Sequence, residues 1–203
     1  MSCEKILYFL KPLAKMDRSK NASAWTEEAY NLFAKEGADG IQIERLARIL
    51  QLNKSGFYHY FGDLEGFFAA LLNLHEQKAA IFLDDLRQVK NIDPEYLQAV
   101  IRHKVPILFQ VQLIQTKNPT FVNLASQIDE QEDVILREVW TDYLGFHDNA
   151  DLAMQYFNIV RDMFYTRMSF QNICYPFLHS LMTEAKVLMQ QFVNSNLACE
   201  ADG

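Results

Sequence analysis

The sequence predicts an all-α protein with a small N-terminal head and a larger C-terminal helical bundle. Apolar residues recur at intervals of three and four along most of the chain, as on the buried face of a helix. The 203 residues include only seven glycines and five prolines, too few for the many turns of a sandwich or barrel. Half of the residues are apolar, which excludes a disordered chain and allows a sizeable core.

The first predicted helix of the head ends near residue 37. Trp25, Ala29, Leu32 and Phe33 repeat at helical spacing. Gly37 follows them and is a suitable C-cap, because glycine adopts the left-handed conformation that ends many helices.

A second helix is predicted from residue 43 to residue 50. Its apolar stripe consists of Ile43, Leu46, Ala47 and Leu50. Arg45 and Arg48 fall off this stripe, so we expect them to face solvent or phosphate.

A third helix is predicted after a turn at Gln51 and Leu52, with Asn53 as its N-cap. Phe57 and Phe61 lie four residues apart and should face the core. The residues between and before them are Lys54, Ser55, Gly56, Tyr58, His59 and Tyr60. Asp63 then caps a fourth, longer helix.

Two short helices joined by a tight turn, the second rich in side chains that can bind phosphates and bases, are typical of a DNA-binding helix-turn-helix. Gly56 costs a short helix roughly 1 kcal/mol against alanine. Its absent side chain either allows close approach of a DNA strand or only weakens the end of the helix.

The head resembles the DNA-binding domain of the tetracycline-repressor (TetR) family. The family pattern Val-Ser-x-Gly-x-Leu-Tyr-x-Tyr/His-Phe corresponds to the segment Leu52-Asn53-Lys54-Ser55-Gly56-Phe57-Tyr58-His59-Tyr60-Phe61. The resemblance covers about residues 22–70. The spacing of the motif residues, the residue that caps the third helix and the aromatic cluster all agree with the family. It implies a homodimeric regulator that binds a palindromic operator in double-stranded DNA. It also implies a head at residues 1–66 and an effector-binding and dimerisation domain at residues 67–203.

The resemblance also implies roles for individual residues of the head. Lys54, Ser55 and Gly56 fall where the recognition helix of the family meets bases and nearby phosphates. Tyr58, His59 and Tyr60 match positions that hold the DNA backbone. Gln42 begins the supporting helix, where a phosphate-contacting threonine is frequent.

Three departures from the family pattern matter for DNA binding. Gln51 replaces the usual turn glycine, so the turn must tolerate a Cβ or change its backbone. Glu44 brings a carboxylate that would repel phosphate or accept from a cytosine amino group. Leu64 stands where a phosphate-binding lysine is common, so one backbone contact is expected to be missing.

The formal charge is divided unevenly along the chain. Residues 1–60 carry nine Lys/Arg and seven acidic residues, a net charge of +2, whereas the whole chain carries −7. This balance argues against nonspecific coating of nucleic acid but not against a specific regulator with a small DNA-binding head. The residues Lys11, Lys15, Arg18 and Lys20 form either a basic arm or a solvated tail.

The rest of the chain predicts further helices. Pro94, Pro119 and Pro176 each stand where a helix can begin, with Asp93 and Asn118 as caps for the first two. Pro106 should kink or divide the apolar segment 100–113. One helix should end at Gly145, and two long helices should span residues 150–170 and 177–193.

The resemblance implies that the bundle both dimerises and binds a small-molecule effector, and its aromatic and methionine residues suit an apolar or aromatic one. Dimer-interface candidates are Leu152, Phe157, Phe164, Leu181, Leu188 and Phe192, although the intramolecular core could take half of the apolar positions on these two helices. Effector-binding candidates are Phe109, Trp140, Tyr143, Arg161 and Tyr165, and aromatic residues at such spacing are more often simple core.

Other classes of protein have less support in the sequence. P-loop, GxGxxG, GxSxG and HExxH motifs are lacking, so we expect no enzyme, catalytic residue or cofactor. Three cysteines without a CxxC predict neither a metal site nor a disulfide framework, and Cys174 is expected to be a buried thiol, with a redox role as the minor alternative. Apolar runs are too short to span a bilayer, which favours a cytoplasmic protein. The alternative function is a helical interaction protein or enzyme-like bundle with a degenerate head.

Overall fold

The computed structural model describes residues 4–147 and 149–201, with side chains from 20 to 147 and from 149 to 191. The fold is all-α, as the sequence predicts. The described helices are α1 (Glu4–Glu36), α2 (Ile43–Leu50), α3 (Lys54–Phe61), α4 (Leu64–Leu86), α5 (Leu97–Arg102), α6 (Lys104–Gln115), α7 (Pro119–Leu144), α8 (Ala150–Arg167) and α9 (Tyr175–Ala201). The chain divides into two compact units, residues 1–77 and 78–203. The domain boundary expected at residue 66 falls inside α4 and remains a prediction.

An aromatic core holds the N-terminal unit together, where α1, α2 and α3 pack against one another. The Phe57 ring, fully buried, lies 5.4 Å from the Trp25 ring and 4.8 Å from the Phe67 ring in edge-on contacts. Edge-to-face pairs of this kind stabilise a core beyond simple area burial. The predicted inward orientation of Phe57 is therefore confirmed, and it turns the intervening polar residues of α3 towards the outside.

Local capping signals set the helix boundaries in this unit. Gly37, at φ 70°, donates its N–H to the Phe33 carbonyl at 2.8 Å and follows the last residue of α1. The Asn53 side chain accepts from the Ser55 N–H at 3.0 Å, and Asp63 accepts from the Gly66 N–H at 2.8 Å. These three predicted caps are confirmed.

Gln51 ends α2 in the left-handed conformation, with φ 54° and ψ 36°. The backbone thus takes the path that suits glycine, although a side chain is present. For a residue with a Cβ, this conformation carries a steric cost of roughly 1–2 kcal/mol.

The C-terminal unit is a bundle in which α7 packs against α8, α6 and α9, and α5 packs against α9. Its most buried side chains include Leu113, Leu136, Trp140, Phe157 and Leu178, each at most 1% exposed. The Trp140 N–H donates to the Ala153 carbonyl at 2.8 Å, so burial leaves this donor satisfied and fixes α7 against α8.

Prolines and glycine define the helix ends of this unit. Helix α5 stops at Arg102 and α6 starts at Lys104, which confirms the division predicted from Pro106. Proline has no N–H to donate to the residue four positions earlier, so the helix cannot continue without a break. The start of α7 at Asn118-Pro119 and its end at Gly145 are also confirmed.

Three boundary predictions are wrong. Asn91, and not Asp93, caps the turn before α5, because its Oδ1 accepts from the Glu95 N–H at 3.2 Å. Asp93 instead accepts from the Tyr175 hydroxyl at 2.7 Å and joins this turn to the start of α9. Helix α8 ends at Arg167, three residues earlier than predicted, where Met168 becomes extended. Helix α9 spans Tyr175–Ala201 and so extends beyond both ends of the predicted range 177–193.

The described residues can be compared with the predictions about membrane spans, metal sites and cysteines. None of the described helices is long and apolar enough to cross a bilayer. The same residues contain no cluster of three His, Cys, Asp or Glu that could hold a metal ion. Cys174 is exposed, so its interpretation as a buried thiol is wrong. Cys3 and Cys199 lie outside the described side chains, as do Lys11, Lys15 and Arg18.

Candidate nucleic-acid interface

The candidate interface consists of α2, the turn at Gln51 and α3. Asn53 caps α3, so the helix begins at Lys54 with its first polar side chains already directed away from the core. The nine residues predicted to bind DNA are all accessible there: Gln42, Arg48, Lys54, Ser55, Tyr58 and His59 are exposed, and Arg45, Gly56 and Tyr60 are half-buried. The structure therefore places all nine residues in one short segment with polar groups at its surface.

Two of the cations in this segment are paired with carboxylates of the same unit. Lys54 forms an ion pair with Glu44, and Arg45 forms a two-point ion pair with Glu36. Hydrogen bonding within each pair lowers the pKa of the carboxyl group and raises the pKa of its basic partner. Arg48 is exposed and has no carboxylate partner among the described residues, so it retains its full charge for a phosphate.

The protein leaves room for a side chain at Gly56. A Cβ built at this position would lie 3.5 Å from Cε2 of Tyr60, which is an ordinary van der Waals contact. The packing of the head therefore does not require glycine at position 56. A requirement for glycine there would have to come from something that approaches α3 from outside.

The three departures from the family pattern have distinct structural outcomes. Gln51 keeps the left-handed turn, and Glu44 pairs with Lys54 instead of standing alone. Leu64 is 47% exposed at the first turn of α4, where it offers an apolar group and no charge. Of the three departures, Glu44 alters the electrostatics of the interface most directly.

A polar cluster is buried in the C-terminal unit around Arg161. Its Nη2 donates to Asn158 Oδ1 at 2.8 Å, and its Nη1 donates to Asp133 Oδ1 at 2.5 Å. Asp129 accepts from the Gln110 amide at 2.9 Å and from the Tyr165 hydroxyl at 3.1 Å. Glu132 accepts from the Tyr96 hydroxyl at 3.2 Å, and its second oxygen lies 3.9 Å from Arg161 Nη1.

Burial changes the pKa values of the ionisable groups in this cluster. Desolvation raises the pKa of Glu132 to about 7, against the opposing attraction of Arg161. Desolvation likewise raises the pKa of Asp129. Burial opposes the charge of Arg161, but the neighbouring carboxylates outweigh it and raise the pKa of the guanidinium. The cluster therefore sets three carboxyl groups against one guanidinium cation, and burial favours the protonated form of Glu132.

The five predicted effector-binding residues occupy different parts of the C-terminal unit. Phe109 and Trp140 are core residues at 1% and 0% exposure, and Tyr143 donates to the Met182 carbonyl at 3.1 Å. Arg161 and Tyr165 meet at Asp129 in the buried cluster. The Phe157 ring links the two groups, since it lies 5.1 Å from the Trp140 ring and 5.4 Å from the Arg161 guanidinium.

An open groove of about 460 Å³ lies elsewhere in the same unit, between the second half of α7 and the start of α8. Its lining residues are Val134, Ile135, Arg137, Glu138, Thr141, Asp142, His147 and Ala150. None of the five predicted effector-binding residues lines this groove.

The predicted dimer-interface residues differ in exposure. Phe157, Phe164 and Leu181 are at most 4% exposed, and Leu152 is half-buried. Leu188 on α9 is 60% exposed. Two other large apolar residues of these helices are also exposed, Val187 on α9 at 44% and Ile159 on α8 at 63%. Phe192 lies outside the described side chains.

The sequence did not reveal that carboxylates pair with residues predicted to bind DNA or effector. Glu36 and Glu44 lie nine and ten positions from their partners, across loops, where no periodic pattern applies. Asp129, Glu132 and Asp133 have a detectable signal, because spacings of three and four place them on one face of α7. Three acids on the face of a helix that packs against α8 should have predicted a basic partner there.

Comparisons with known proteins agree with this geometry. Residues 26–71 match the family model described as "Bacterial regulatory proteins, tetR family". No curated protein sequence matches the chain.

Two solved structures are similar in fold. A transcriptional regulator (TerR/AcrR family) from Aquifex aeolicus VF5 has a TM-score of 0.56 and 17% identity, covering 82% of this chain and 98% of that one. A candidate TetR-family transcriptional regulator from Mesorhizobium loti MAFF303099 has a TM-score of 0.55 and 15% identity, covering 88% of this chain and 97% of that one.

Proposed function

We propose that this chain, which carries the TetR-family DNA-binding domain at residues 26–71, is a repressor that binds a palindromic operator as a homodimer and is released by a small molecule. The observation that carries the proposal is the Asn53-capped helix α3, which presents Lys54, Ser55 and Tyr58 at the surface of a tightly packed head. In helix-turn-helix proteins, residues at the start of the recognition helix contact base edges in the major groove.

The resemblance to the family and the accessibility of each side chain support the remaining assignments. We assign phosphate contacts to Gln42, Arg48, Tyr58, His59 and Tyr60. Arg45 is already held by Glu36, so we expect it to contribute less to affinity than Arg48, which has no carboxylate partner among the described residues. Phosphate contacts fix the position of a protein on DNA, and base contacts supply the sequence preference.

The proposal is tested by selecting bound fragments from random duplex DNA and titrating the selected site by fluorescence anisotropy. We expect a palindrome, and Lys54→Ala and Tyr58→Ala should each weaken binding roughly 5- to 100-fold by loss of a base or phosphate contact. Lys90→Ala is the matched control, because Lys90 is an exposed lysine of the C-terminal unit. Affinities unchanged by the two head variants would overturn the proposal.

For the dimer, we propose a surface on α8 and α9 that includes the exposed apolar side chains of Ile159, Val187 and Leu188. Side chains such as Phe157, Phe164 and Leu181 support this surface from within, since they are already buried in their own unit. Exposed apolar residues on two neighbouring helices are suited to pairing with the same helices of a second copy.

For the effector, we propose an apolar or aromatic molecule that binds in the C-terminal unit near Trp140 and Phe157. Because Phe109 and Trp140 are buried, binding requires the helices around them to open. A ligand that stabilises this opened form shifts the dimer towards a state whose two recognition helices no longer match successive major grooves.

A further inference from the structure

The ion pair between Glu44 and Lys54 joins the two helices of the candidate interface. Glu44 is the second residue of α2 and Lys54 is the first residue of α3. Their side chains are 67% and 45% exposed, respectively, so both remain accessible from solvent while in contact. Only one oxygen of Glu44 is used in the pair, and the ammonium group has further N–H donors to offer.

The Glu44–Lys54 ion pair is poorly suited to binding a phosphate group of DNA. A carboxylate is repelled by the phosphate backbone, and its presence neutralises the charge that Lys54 would otherwise offer. An acceptor and a donor held side by side are better suited to the edges of bases, where both kinds of group are exposed. The position of Lys54 at the start of the recognition helix is where base contacts are made in helix-turn-helix proteins.

The order of the two groups favours one base pair. In the major groove, a C·G pair presents the cytosine N4 donor beside two neighbouring guanine acceptors, O6 and N7. Glutamate accepts from cytosine N4, and lysine donates to guanine O6 and N7. In an A·T pair, the adenine N6 donor lies between the two acceptors, adenine N7 and thymine O4. The lysine therefore finds no two adjacent acceptors there.

Resting on the proposed function, we propose that Glu44 and Lys54 act as one unit that recognises a C·G base pair in each operator half-site. Glu44 accepts from the cytosine amino group, and Lys54 donates to the guanine of the same pair. The ion pair positions both side chains before DNA arrives, so little side-chain freedom is lost on binding.

The test is the preference for C·G over T·A at a single position of the selected operator, measured for the wild type and for Glu44→Ala. We expect the wild type to prefer C·G by roughly 5- to 150-fold. We expect Glu44→Ala to lose most of this preference at that position and to keep its preferences elsewhere. Overall affinity for unrelated DNA should rise, because Lys54 is then free for phosphate.

Glu36→Ala is the matched control, because it removes the same charge and frees Arg45 in the same head. It should raise affinity for all DNA and leave the C·G preference intact. A Glu44→Ala protein that keeps the wild-type preference at every position, or loses it uniformly, overturns the inference while the proposed function stands. A wild type that selects no sequence overturns the proposed function and this inference with it.

Discussion

Stability and the proposed DNA binding make opposite demands on Gly56. The helix would gain from a side chain here, since alanine is favoured over glycine by roughly 1 kcal/mol. The head has room for a Cβ, which would lie 3.5 Å from Tyr60 Cε2. Glycine at this position therefore suits the proposed function, in which a DNA strand comes close to the outer face of α3.

Gly56→Ala separates these two demands. We expect the thermal midpoint of the head to stay the same or rise, while affinity for the selected operator falls about tenfold or more because the methyl group blocks close approach. Thermal melting by circular dichroism and anisotropy titration measure the two effects. Gly66→Ala provides the contrast, because its Cβ would lie 2.3 Å from the Phe61 carbonyl oxygen and should destabilise the fold. An unchanged operator affinity for Gly56→Ala would remove the argument for close approach.

Gln51 adopts a left-handed backbone conformation that favours glycine over a residue with a side chain. At φ 54° its backbone is strained, so Gln51→Gly should stabilise the head by about 0.5–1 kcal/mol once the greater freedom of glycine in the unfolded chain is included. Urea denaturation measures the free energy of unfolding. Gln127→Gly, in the middle of α7, should destabilise by about 1 kcal/mol instead, because glycine is unfavourable inside a helix. Equal destabilisation by both changes would contradict the assignment of strain at position 51.

At the scale of elements, capping and helix-breaking residues made much of the fold predictable from the sequence. Asn53, Asn118 and Gly145 act through hydrogen bonds or backbone conformations within a few residues, so local patterns locate them correctly. The ion pair of Glu44 with Lys54 depends on how a turn brings two helices together, which no local pattern contains. The sequence therefore predicted which segment carries the candidate site but not the electrostatic pairing within it.

The buried cluster between α7 and α8 predicts a pH dependence of stability. The pKa of Glu132 rises from its ordinary 4.5 to about 7 in the folded unit, so the folded state binds a proton that the unfolded chain releases. Stability from this group is fully present below about pH 4.5 and is lost as the pH rises through about 7. The loss is of the order of 3 kcal/mol for a fully buried carboxyl group. Asp129 contributes in the same direction, while Arg161 limits both effects.

Glu132→Gln tests this dependence, because glutamine keeps the shape and the contact with Tyr96 without ionising. The wild type should lose stability between pH 5 and pH 7.5 in urea denaturation, and the variant should lose clearly less over the same range. Glu138→Gln is a suitable control, since Glu138 is exposed on the same helix. Parallel pH profiles for the wild type and Glu132→Gln would show that Glu132 does not retain its proton.

At the scale of the whole molecule, the proposed repressor depends on pairing of two chains. Leu188→Glu places a charge in the proposed interface and should raise the dimer dissociation constant roughly 100-fold or more. Analytical ultracentrifugation measures the change directly. Val134→Glu is the control, because Val134 is 78% exposed on α7, outside the proposed surface. Equal effects of the two variants, or a wild type that is monomeric, would rule out the α8–α9 surface.

The two tryptophans of the chain fall one in each compact unit, Trp25 at 0% exposure against Phe57 and Trp140 at 0% exposure against Phe157. Each indole is therefore a built-in optical probe of a different half of the protein. With Trp140→Phe, the emission spectrum would report melting of the head alone, and with Trp25→Phe it would report the bundle. Comparing the two single-tryptophan proteins would reveal whether the halves unfold together or in separate steps.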